Sequence, residues 1–83
     1  MMAATQTTLY EKVVDVTTEY LGPASERFID RQIRTHLDKK PQELSKKDLL
    51  KLIDWLKLVL AMLTEDDQTV DDFTSDLLFL AKP

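Results

Sequence analysis

An 83-residue chain with no cysteine has room for one domain and one core, and it excludes disulfides, thiolate catalysis and thiolate metal sites. A formal net charge of −4 weighs against general nucleic-acid binding. The charge is unevenly spread: residues 1–22 carry one Lys against three acids, 23–47 carry seven Lys and Arg against four acids, and 48–83 carry three Lys against eight acids.

Residues 1–6 read as a loose terminus of a single domain spanning 1–83. Met1 to Thr8 lacks the basic start and apolar centre of a signal peptide. From about Thr7, Leu9, Val13, Val16 and Tyr20 recur at helical spacing, so a first helix is expected. Its β-branched residues disfavour helix intrinsically, so packing has to hold it. Gly22 reads as the stop, where a left-handed conformation carries no Cβ penalty. Pro23 suits the first turn of the next helix, so "LGP" reads as a corner with almost no linker.

The second helix is expected to run to Leu37, with Ala24, Phe28, Ile29, Ile33 and Leu37 as its apolar face. Asp38 to Leu44 reads as a polar connector. Ser45 then stands three residues before Asp48, which reads as a helix cap with an acid at the favourable end of the helix dipole. Leu44 and Leu49 occupy the positions of a hydrophobic staple.

The third helix, about Lys46 to Thr64, is expected at the centre. Leu49, Leu52, Ile53, Leu56, Leu60 and Leu63 form its main stripe, widened by Leu50, Trp55, Leu58, Val59 and Met62. Trp55 reads as core, with a binding anchor as its other reading. Lys51, Asp54 and Lys57 interrupt the stretch, which is too short and charged to span a bilayer. A fourth helix is expected from about Val70 to Ala81, capped by Thr69, with Val70, Phe73, Leu77 and Leu80 inward and Leu78 and Phe79 off the stripe. The fold class is therefore all-α: a compact four-helix domain with the third helix central.

Few residues point to chemistry. Arg27, Arg31 and Arg34 share a helix face and form a candidate partner-binding stripe, because guanidinium groups grip carboxylates and phosphates. The same face also reads as solvated surface, with Asp30 and Arg34 as an i,i+4 pair. His36, the single histidine, has no second ligand for a metal and reads as a helix-end residue. Glu65, Asp66, Asp67, Asp71, Asp72 and Asp76 cluster, but the glycine and closing glutamate of a calcium loop are missing. A nucleophile elbow and a phosphate loop are both absent from the sequence.

The segment "LGPASERFIDRQI", residues 21–33, resembles short helical domains of unassigned role in bacterial signalling proteins, often attached after kinase or cyclase domains. Leu21, Gly22 and Pro23 match their corner, and Phe28, Ile29 and Ile33 match their apolar face. The resemblance implies an interaction module and transfers no catalytic residue.

The expected function is a small, soluble, cytoplasmic protein-interaction or regulatory module with no catalytic activity, no cofactor and no metal. It contacts another protein or itself as a homodimer, with Leu78 and Phe79 as the candidate seam. The alternative is anion or nucleic-acid binding through the basic stripe on the second helix.

Overall fold

In the computed structural model, residues 8–82 are described; the expected loose terminus 1–6 lies outside them. The regular structure among the described residues is all helical, without strands: α1 (Leu9–Leu21), α2 (Ser25–Leu37), α3 (Lys46–Leu63) and α4 (Asp67–Ala81). A 3₁₀ turn, Gly22–Ala24, joins α1 to α2, and another, Pro41–Glu43, precedes α3. Helical structure is continuous from Leu9 to Leu37, so the molecule counts equally as three rods, the first of them bent at Gly22.

The helices form a four-sided ring. α1 packs against α2 and α4, and α3 packs against α4 and α2. Of the thirteen buried apolar residues among those described, Leu49, Leu52, Ile53, Leu56 and Leu60 come from α3. The third helix is thus the main contributor to the core while forming one side of the ring, not a rod enclosed by three others. Val13, Ile29, Ile33, Val70, Phe73 and Leu77 complete the core from the other helices.

The local chemistry explains most boundaries. Thr8 caps α1 by accepting the Glu11 N–H at 3.1 Å. Gly22 ends it at φ 80 and ψ −160, a positive φ as expected, though more extended than the left-handed helical well. Pro23 then sits in the 3₁₀ turn, and α2 proper begins at Ser25, later than the sequence pattern suggests. The buried Ser25 hydroxyl donates to the Gly22 carbonyl at 2.7 Å, which fastens the corner. Ser45 and Asp48 form the expected reciprocal cap at the start of α3, with Leu44 and Leu49 buried beneath it.

The start of α4 departs from the expectation at Thr69. Asp66 is the cap and the helix begins at Asp67. The Asp66 carboxylate accepts both the Gln68 N–H (3.0 Å) and the Thr69 hydroxyl (2.9 Å). These bonds hold its pKa below the ordinary range, the Thr69 hydroxyl contributing most. A charged acceptor receiving two donors fixes the turn more firmly than the Thr69 hydroxyl would.

Buried polar groups are satisfied. Thr17, fully buried in α1, donates to the Val13 carbonyl at 2.7 Å. Among the described residues no buried side-chain polar atom lacks a hydrogen-bond partner. No helix among them is long and apolar enough to cross a membrane.

Candidate protein-binding surfaces

Large apolar side chains lie exposed on two helices. On α3 they are Leu50, Trp55, Leu58, Met62 and Leu63, and on α4 Leu78 and Phe79. From Leu58 to Leu63 α3 is apolar nearly all round, and a helix in a four-sided ring has neighbours on only two sides. Its outward arc therefore carries apolar residues that the fold does not cover.

Trp55 corrects an expectation: it is 48% exposed instead of core. Five of its α3 companions already fill the inward arc. Its ring instead stacks on the His36 imidazole, with centroids 4.3 Å apart and planes 10° from parallel. His36, read as a helix-end residue, thus acts as a flat platform near the end of α2.

The three arginines share the outward side of α2, but their neighbours divide them. Arg34 Nε donates to Asp30 Oδ1 at 2.7 Å, the pair foreseen from the sequence. Arg27 and Arg31 make no ion pair among the described residues. They border a groove of about 360 Å³ between α2 and α3, which is also lined by Ala24, Phe28, Gln32 and Val59. A larger depression of about 730 Å³, lined by Pro23, Ala24, Glu26, Arg27 and Asp30, mixes both charges. A third hollow brings Arg34 beside Asp38, Lys39, Lys40 and Glu43.

Lys39 is held elsewhere. Its Nζ lies 2.6 Å from Asp48 Oδ2, which also accepts the Ser45 N–H at 3.2 Å. The Lys39 contact is the main reason that the Asp48 carboxyl sits below its ordinary pKa. Of Arg27, Arg31 and Arg34, only Arg27 and Arg31 border the apolar floor of the α2–α3 groove, and neither makes an ion pair among the described residues.

Leu78 and Phe79 lie outside the core, 44% and 70% exposed. Lys82 places its ammonium 5.6 Å from the Phe79 ring centre. Lys46 Nζ donates to the Lys82 carbonyl, tying the start of α3 to the end of α4. Leu50, one turn after Lys46, and Leu78, one turn before Lys82, therefore stand at the same level of the α3–α4 pair. Of the clustered acids, Asp66 caps α4, Asp67 lies in its first turn, Asp72 accepts from the Gln68 amide and Asp76 from the Tyr20 hydroxyl; no group of three or more His, Asp or Glu residues among those described is arranged to hold a metal ion.

Comparison with known proteins finds no matching family model, no matching curated protein and no matching solved structure.

Proposed function

We propose that this chain is a helical protein-interaction module without catalytic activity, working through apolar helix faces that its own fold leaves open. The observation that carries the reading is the set of exposed large side chains on α3 and α4, with Phe79 at 70% and Met62 at 84% exposure. Large apolar side chains grouped on the surface of a small domain mark contact sites, and a domain of this size gains stability by association. The first partner is a second copy, meeting through Leu50, Leu78 and Phe79 on the α3–α4 side. Such a contact is self-complementary about a two-fold axis. The resemblance of residues 21–33 to domains of bacterial signalling proteins supports a cytoplasmic, regulatory setting.

Light scattering across a concentration series, at low and high salt, tests the reading. The expected result is a dimer insensitive to salt that becomes monomeric in the Leu78→Asp/Phe79→Asp variant. A monomer at every concentration and salt level overturns the self-association. A mass that falls steeply with salt means charge-driven self-association between the basic middle and the acidic ends, and it equally overturns the apolar seam.

A further inference from the structure

We infer that the groove between α2 and α3 is a second, separate docking site, and that its occupant is an acidic amphipathic helix of another protein. The inference rests on the reading of the chain as an interaction module, but not on the α4 seam.

The groove runs between two neighbouring helices. α2 and α3 lie antiparallel beside it: His36 meets Trp55 near one end, and Phe28 and Gln32 meet Val59 further along. Trp55, Val59 and Met62 are spaced four and three residues apart, so they line one face of α3 over about 10 Å. Helix-in-groove recognition uses this span, with apolar anchors entering at one-turn intervals. Trp55 is held flat by His36 and half exposed, which gives an incoming side chain a rigid aromatic wall. Tryptophan is also the residue type most often dominant in binding energy.

Charge selects the occupant. Arg27 and Arg31, one turn apart on α2, stand over the apolar floor without an acid paired to either. Lys51, one turn before Trp55 on the same face of α3, is exposed as well. A helix that places Leu or Phe in the floor and Glu or Asp on its flanks meets all three cations. Arg can clamp such carboxylates in a bidentate fork.

A second copy fits this groove poorly. Two grooves placed face to face would oppose Arg27, Arg31 and Lys51 with their own like charges. The chain's own acidic helix is no better. Inserting Phe79 would bring Lys82, which sits against that ring, toward the arginines. Asp76, the acid nearest Phe79, is already engaged by the Tyr20 hydroxyl at 2.6 Å.

Trp55 is the single tryptophan and lies one turn from Val59 at the groove, so its emission reports on an occupant that extends along α3. The probe is a hydrocarbon-stapled helical peptide of roughly four turns, with Leu at i, i+4, i+7 and i+11 and Glu at the other unstapled positions. Its counterpart carries Lys for every Glu. Titration into the full chain at low salt is expected to move Trp55 emission to shorter wavelength, saturably, with the Glu peptide alone. The Arg27→Glu/Arg31→Glu variant is expected to bind the Glu peptide about tenfold more weakly and to gain binding of the Lys peptide. That gain also shows that the variant is folded.

Equal binding of both peptides, or of neither, overturns the proposal. So does a Trp55 shift driven by a single-stranded oligonucleotide but not by the Glu peptide, which would make the arginines a phosphate site. A Trp55 shift driven by protein concentration alone would place a second copy in the groove and equally overturn it. Repeating the titration on Leu78→Asp/Phe79→Asp separates this site from the α4 seam, because the expected peptide affinity is unchanged there.

Discussion

Asp48 gathers three local interactions on one carboxyl group. It caps α3 reciprocally with Ser45, receives the Lys39 ammonium at 2.6 Å, and lies nearly buried at 7% exposure. Its folded pKa is depressed, first through Lys39. A depressed carboxylate contributes stability above its unfolded pKa and loses it as pH falls through the folded value. Urea midpoints are therefore expected to hold steady near neutrality and to fall once pH drops below about 4. Asp48→Asn should flatten that acid slope and lower neutral stability by about 1 kcal/mol; an unchanged slope would show that Asp48 is not the titrating group. The Ser45–Asp48 pair is legible from sequence because three residues of helix geometry dictate it. The Lys39 contact is not. It depends on the intervening connector, where Asp38 adopts a left-handed φ of 52 and Pro41 is buried. Trp55 misleads for a similar reason: hydrophobicity ranks it as core, while the imidazole that half-covers it belongs to a different helix.

At the scale of the elements, the corner between α1 and α2 turns on one residue. Gly22 has φ 80, and a Cβ built there meets nothing within 4 Å. The requirement for glycine is therefore conformational, not steric. Gly22→Ala should cost about 1–3 kcal/mol by urea denaturation; a cost near zero would mean that the corner relaxes to an ordinary conformation. "LGP" announces this corner in the sequence, since Gly and Pro have few other readings side by side. The head of α4 is less legible because Asp66 and Thr69 are both acceptable caps, and the choice falls to whichever gathers more donors. The outward side of α3 is least legible of all. A helix apolar nearly all round gives no direction, and only the placement of α2 and α4 decides which of its leucines face inward. For that reason the sequence pattern finds Leu78 and Phe79 off the stripe of α4 but does not single out the Trp55 groove.

For the whole molecule, the ring closes where α1 meets α4. Tyr20 supplies that closure: its hydroxyl donates to Asp76 Oδ2 at 2.6 Å, 56 residues away, and its ring packs edge-on to Phe73 at 5.1 Å. The hydrogen bond to Asp76 is the leading cause that pushes the Tyr20 pKa up to about 12. A raised phenol pKa gives stability that is complete below its unfolded value near 10 and is lost as pH rises through the folded value. Tyr20→Phe should remove that alkaline dependence, lower stability by about 1 kcal/mol, and act chiefly by speeding unfolding in stopped-flow measurements. A slowing of folding instead would place the α1–α4 contact in the folding nucleus.

The ring also sets the order in which the molecule comes apart. The α2–α3 and α3–α4 neighbours are consecutive in the chain, so they form by closing short loops. α1 holds its place through α2 and the distant α4, and it supplies one fully buried apolar side chain, Val13, against five core residues from α3. Its remaining core contacts come from half-buried side chains, among them Leu9, Tyr10, Val14, Val16, Tyr20 and Leu21. Hydrogen exchange is expected to show the earliest sub-global opening along α1, pivoting on the Gly22 corner, with α2, α3 and α4 still protected. The α2–α3 groove lies among the helices that remain, so the proposed docking surface outlasts the first breach of the fold.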